Sequence, residues 1–168
     1  MGSQSSAQDH IDQLIANWEN ISPGRDYRDM ELATRLLRTV TLLMKDIMPV
    51  INDAGLNQGE FDVIATLYRN GGTLSPTALY QRLLITSGAM TNRLDTLESK
   101  GLVERTPDAQ DKRGTVVKLT ADGRMLFEPL LERYLAKLSS ALSPVQEHER
   151  EAINQGLRQL LLHLEQSQ

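Results

Sequence analysis

For most of this chain, hydrophobic residues recur at helical rather than strand spacing. Over residues 9–19, Ile11, Leu14, Ile15 and Trp18 fall at i, i+3, i+4 and i+7, which predicts a short amphipathic helix. Ser22-Pro23-Gly24 breaks it. A long helix is predicted over about 27–53, with Leu32, Leu36, Val40, Leu43 and Ile47 on one stripe and Pro49 kinking or weakening its last turn. Asn57, with Glu60 three residues on, caps a helix whose apolar face is Phe61, Ile64, Ala65 and Tyr68 and which Gly71-Gly72 ends. Ser75-Pro76 opens a short helix bearing Leu79 and Leu83. In the next, from about Thr86, Met90, Leu94 and Leu97 fall on one narrow face and Gly88, Asn92, Asp95 and Ser99 on the other, until Gly101 stops it.

The period then changes. Residues 102–105 and 115–119 are short β-prone runs, and the PDAQDKRG between them is polar, charged and bounded by Pro and Gly, the composition of a hairpin tip. Helical spacing resumes after Thr120, with Leu126, Leu130, Tyr134, Leu138 and Leu142 as the seam of a helix ending near 142. Ser143-Pro144-Val145-Gln146 reads as a capping box with Pro at the first helical position. The last helix carries Ile153, Leu157, Leu160, Leu161 and Leu164.

Three closely spaced helices followed by a hairpin are the order of a winged helix-turn-helix. The fold class expected is therefore mainly α with a small β-hairpin wing, joined to a helical dimerisation region. Its parts are N-terminal helices over 9–54 (ligand and dimer region), the winged helix-turn-helix over 55–120, and C-terminal dimerisation helices over 121–166. The long terminal helices have too little of their own chain to cover them, which predicts a homodimer.

The polar face of the helix after Thr86 is small at its start and suits a DNA major groove, where Asn can bond an adenine edge and Gly permits close approach. Overall charge argues weakly the other way, at −4. Between Arg82 and Lys118, however, seven bases face five acids, so an acidic body carries a locally basic head. The absence of Cys excludes disulfides and thiolate metal sites, and no apolar run approaches the roughly 18 residues of a membrane span, so a cytoplasmic protein is expected. Against an enzyme, His10, His148 and His163 are scattered and no phosphate loop or metal-ligand spacing occurs; His148 among Glu147, Glu149 and Glu151 reads as a solvated helix face. No cofactor, catalytic residue or metal ligand is expected.

The run GAMTNRLDTLESKGLVER, then PDAQDKRG, then VVKLTADG resembles the MarR family of bacterial transcription regulators, over about residues 32–142. Asp111-Lys112-Arg113-Gly114 matches that family's wing signature. The resemblance implies a homodimer on a pseudo-palindromic double-stranded operator, each subunit placing its recognition helix in the major groove and a wing Arg in the minor groove, with a small molecule usually relieving binding. The DNA-contacting candidates are Ser87, Gly88, Thr91 and Asn92 on the helix and Lys112 and Arg113 on the wing. Within the family the chain is similar to a urate-responsive branch with an extra Trp-bearing N-terminal helix, which carries over to Trp18, Asp62, Arg93 and Arg105 as ligand residues. It departs from that branch at Ser22-Pro23-Gly24-Arg25-Asp26, where the branch has an Arg-Pro-Asp-Leu-Asp-like stretch.

The four residues suit a purine anion such as urate or xanthine. An indole covers a flat ring, two guanidiniums bind an oxopurine, and a carboxylate holds one Arg in place beforehand. Two alternatives stay open at this point: Trp18 anchors the extra helix while Asp62 and Arg105 form a structural pair, or the ligand is a phenolic anion. A further alternative for the whole chain is a winged-helix protein-interaction module that never touches DNA.

Overall fold

The computed structural model describes residues 7–108 and 114–167, and the chain divides into two compact units, one up to Asp46 and one from Ile47 onward. In the first, helix α1 (His10–Ile21) begins at Asp9, whose carboxylate accepts from the Ile11 and Asp12 backbone N–H groups while Asp12 reaches back to the Asp9 N–H at 2.7 Å. That reciprocal arrangement satisfies the orphan donors of the first turn. Ile11, Ile15 and Tyr27 form a small buried cluster with Leu14 against it. Helix α2 (Arg28–Asn52) contributes Arg35, which binds Asp9, Asp12 and Glu31 at 2.6–2.8 Å. Of the stripe expected on α2, Ile47 is buried, Leu36 and Leu43 are half-buried, and Leu32 and Val40 are exposed. Pro49 does not end the helix; the Asp53 N–H donates to the Pro49 carbonyl at 2.9 Å.

The second unit holds α3 (Gln58–Arg69), β1 (Thr73–Leu74), α4 (Pro76–Arg82), α5 (Ser87–Ser99), β2 (Val103–Pro107), β3 (Thr115–Leu119), α6 (Ala121–Ala141) and α7 (Glu147–Gln166). The strands form an antiparallel sheet in the order β1-β3-β2, with Val103 opposite Leu119 and Arg105 opposite Val117. Strand β1 was not expected: two residues show no periodicity, and only the pairing of Thr73 with Lys118 makes them a strand. Asn57 and Glu60 form the expected capping box on α3. Val63, Ile64 and Leu67 of α3, Leu79 of α4, and Met90, Leu94 and Leu97 of α5 meet Val117 of β3 and Phe127 of α6 in a fully buried core.

Helix α5 ends where Gly101 takes a φ of 71°, which only glycine adopts at no steric cost. Its N–H donates to Glu98 and that of Leu102 to Leu97, so the last carbonyls of the helix are satisfied as the chain turns into β2. The same pattern ends α4, with N–H donation from Leu84 to Gln81 and from Ile85 to Tyr80, but there the left-handed residue is Leu84 at φ 52°. That conformation costs a non-glycine residue about 1–2 kcal/mol.

The expectations for the C-terminal helices hold in part. On α6, Leu130 of the expected seam is buried and Tyr134 packs on Phe61, but the inward face also takes in Gly123 and Phe127, Leu126 is only half-buried and Leu142 is exposed, because the stripe that matters is the one α3 can reach. The capping box of α7 pairs Gln146 with Glu149, and Pro144 lies in the preceding turn, where Ser143 and Val145 still donate back to the end of α6. Helix α7 has no buried residue.

Candidate nucleic-acid and ligand interface

Helix α5 is built to be held from one side. Thr86 caps it by accepting from the Ala89 N–H at 3.2 Å, Met90, Leu94 and Leu97 sink into the core, and Ser87, Gly88, Thr91 and Asn92 are all exposed. Thr91 donates to the Ser87 carbonyl at 3.0 Å, which leaves its hydroxyl oxygen as an acceptor facing outward. The exposed surface at the start of α5 is therefore small, polar and uncharged. Strands β2 and β3 bring the two ends of the wing loop together at Pro107 and Thr115. Lys112 and Arg113 themselves lie outside the described residues.

The ligand candidates separate. Arg93 leaves the exposed face of α5 and lies over the first turn of α3, where its Cζ and Nε come within 2.6 Å of the position a Cβ on Gly59 would occupy. Glycine is required at 59 for that approach, since any larger residue would displace the guanidinium. Asp62, one turn along α3, feels Arg93 and Arg69, yet burial outweighs both and raises its pKa above the ordinary 3.8. Tyr134 of α6 is packed on Phe61 with ring centroids 4.8 Å apart, and burial, then the Asp62 charge, raises its pKa. Asp62 thus lies within electrostatic reach of Arg93, Arg69 and Tyr134, and Gly59 leaves the room that Arg93 occupies. Gly59, Arg69 and Tyr134 were missed in the sequence, although Gly59 and Asp62 sit at i and i+3 on α3, the spacing of one helix face.

Arg105 is not brought beside Arg93 in this structure. Its Nη1 donates to Glu98 at 2.6 Å and its Nη2 to Asp95 at 2.7 Å. At about 100° per residue those acids point roughly 140–160° away from Arg93 around α5. Nor do Asp62 and Arg105 pair; the partners of Arg105 are Asp95 and Glu98. Trp18 belongs to the N-terminal unit, where its ring lies 6.4 Å from that of Tyr27 and remains substantially exposed. No group of three or more His, Asp or Glu among the described residues is placed to hold a metal ion, and no described helix is long and apolar enough to cross a membrane.

The raised pKa of Asp62 makes a stability prediction. Its ionisation is less favourable in the folded chain, so its contribution is fully present below the unfolded value and lost as pH rises through the folded one. Asp62→Asn is expected to melt at a higher temperature than wild type at neutral pH, the difference closing as pH falls toward 3.8. A lower melting temperature at neutral pH would show that the attraction to Arg93 and Arg69 outweighs burial.

Comparison with known proteins places these features. Residues 54–114 match the MarR family model. The chain is 30% identical over 156 residues to the HTH-type transcriptional regulator PecS of Dickeya dadantii, covering 92% of this chain and 94% of that protein. It is 40% identical over 74 residues to the multiple antibiotic resistance protein MarR of Salmonella typhimurium, covering 44% of this chain and 51% of that protein. Among solved structures, a mutant MarR of E. coli in complex with operator DNA superposes with a TM-score of 0.71 at 24% identity, covering 82% of this chain and 99% of that one. BpsR of Bordetella bronchiseptica, whose DNA binding is regulated by 6-hydroxynicotinic acid, superposes with a TM-score of 0.68 at 25% identity, covering 77% of this chain and 98% of that one. These relatives are regulators of transcription, not enzymes. With the PecS match spanning nearly the whole of both proteins and the three-helix head and wing hairpin in place, the chain belongs to the MarR family of DNA-binding transcriptional regulators.

Proposed function

We propose that this protein is a cytoplasmic, sequence-specific repressor whose DNA binding is relieved by a small anionic aromatic ligand. The observation that carries this reading is the two-sidedness of α5: an exposed polar face suited to a major groove, and on its inner edge an Arg93 whose guanidinium lies over Gly59 of α3, near enough for Asp62 to feel its charge. Ser87, Gly88, Thr91 and Asn92 contact the groove, while Lys112 and Arg113 contact the flanking backbone or minor groove. The protein acts as a homodimer through its terminal helices, a reading supported by Ile153, Leu157, Leu160, Leu161 and Leu164 standing exposed along α7. Two heads then read half-sites about 10 base pairs apart, or a multiple of that, in a pseudo-palindrome.

An anion bound by Arg93 would compete with Asp62 for its charge and shift the helix that carries Asn92. Ligand and DNA then compete through one rigid element, with a coupling of about 1–3 kcal/mol, or 5- to 150-fold in DNA affinity. Urate and xanthine are the first candidates, being flat oxopurines; the aromatic acid that regulates BpsR belongs to the same broad class and keeps a phenolic or carboxylic ligand as the second.

The test begins with salt-dependent binding of duplex DNA, which an interaction module without DNA affinity would not show. Urate, xanthine and aromatic acids are then titrated into the complex. Release is expected with wild type and is expected to be lost with Arg93→Gln, while Trp18→Phe tests whether the indole takes part. If purines release the Arg93→Gln protein as well as wild type, Arg93 does not hold the ligand.

A further inference from the structure

Within α5 the only charged residues are Arg93, Asp95 and Glu98, and Arg93 is turned toward α3. The outward side of the helix would therefore carry two carboxylates, both substantially exposed, toward the phosphates on either side of a groove. Arg105 meets them from β2. It is the less exposed member of the group at 26%, against 58% for Asp95 and 40% for Glu98. Its backbone N–H donates to one Glu98 oxygen at 3.1 Å, its Nη1 to the other at 2.6 Å, and its Nη2 both to Asp95 at 2.7 Å and, more distantly, to the Thr91 carbonyl at 3.4 Å. One guanidinium thus spans more than a turn of the recognition helix and ties it to the wing.

We infer that Arg105 is a positioning residue for DNA binding, which cancels one of the two negative charges that α5 would otherwise present to the phosphate backbone and holds both carboxylates in a fixed orientation against the wing. This rests on the reading of α5 as the groove helix. In this role Arg105 acts through Asp95 and Glu98 rather than by touching DNA. Its placement follows from the strand register, since Arg105 lies opposite Val117 and is carried past Asp95 and Glu98 by the short turn at Gly101.

The experiment measures binding of the full-length protein to a long mixed-sequence duplex and to a selected operator across a salt series. Arg105→Gln is expected to weaken binding to both by about tenfold at low salt, the size expected of one uncancelled charge per protomer facing phosphates through water. The loss should shrink as salt rises and screens the repulsion. Adding Asp95→Asn and Glu98→Gln to Arg105→Gln should restore binding to the wild-type level or above it, and Arg105→Lys should retain most of it. A triple variant as weak as Arg105→Gln would overturn the inference, because Arg105 would then contact DNA directly or serve only the fold. If Arg105→Gln does not fold, the double variant Asp95→Asn, Glu98→Gln with Arg105 intact decides the matter: tighter binding at low salt supports the inference, and unchanged or weaker binding overturns it. Equal binding by wild type and Arg105→Gln would refute this inference alone, whereas no salt-dependent DNA binding by wild type would overturn it together with the assignment of α5.

Discussion

Phe127→Ala is expected to lower stability by about 3–5 kcal/mol, the cost of truncating a buried aromatic where the surroundings collapse only partly. Phe127 is 1% exposed, and its ring lies 5.7 Å from that of Phe61 and 5.1 Å from that of Tyr68, both on α3. These tilted pairs are how α6 grips α3, and α3 is the layer against which α5 packs. Urea unfolding of the isolated protein measures the loss directly. A decrease under about 1 kcal/mol would mean that α3 and α6 close over the cavity, contrary to the fully buried environment of Ile64 and Leu67 beside it. At the expected cost, DNA binding should fall with the folded fraction and recover where the variant is kept folded, since Phe127 touches none of the exposed face of α5.

The second large effect falls on recognition rather than folding. Asn92→Ala should leave stability nearly unchanged, because Asn92 is exposed, but cost about 1–3 kcal/mol of operator preference per half-site, or about 2–6 kcal/mol for a symmetric dimer. The reason is geometric. Asn92 lies on the side of α5 opposite Met90 and Leu97, and its amide supplies both a donor and an acceptor, the pair that matches the major-groove edge of adenine. Affinity for mixed-sequence DNA, which depends on phosphate contacts, should change far less. Competition binding with operator and mixed duplexes separates the two terms. Equal losses on both would show that Asn92 does not read bases and would shift base recognition to Ser87, Gly88 and Thr91.

The helices were legible because their signals are local. Asn57 with Glu60, Ser75 with Pro76, and Thr86 and Thr120 each mark a helix start by accepting from a backbone N–H three residues on, so the sequence alone contains both partners. The apolar face of α5 was legible for the same reason, as was the turn at Gly101. The seam of α6 was legible only in part: Leu130 and Tyr134 face α3 as expected, but Leu126 and Phe127 are both apolar, and which of them faces inward depends on the phase at which α6 meets α3. The start of α7 was not legible either, because Ser143 is the better cap by residue type, and only the turn after α6, in which Ser143 and Val145 still donate back, moves the start to Gln146. Strand β1 exists only through β3.

The candidate site divides along the same line. Residue type and helical phase alone determined that Ser87, Gly88, Thr91 and Asn92 share an exposed polar face and that Arg93 leaves it for the core edge, because 3.6 residues per turn is a property of the backbone and needs no partner. Sequence also marked Asp62 and Arg105 as charges of interest, but not which partners they keep. Only the tertiary structure decided that Asp62 feels the charge of Arg93 across the gap between two helices, that Gly59 makes room for that guanidinium, and that Arg105 turns to Asp95 and Glu98 instead. Electrostatic pairing falls off with distance in space, not along the chain, and the distance between an arginine on a strand and a carboxylate on a helix is set by strand register and helix packing together.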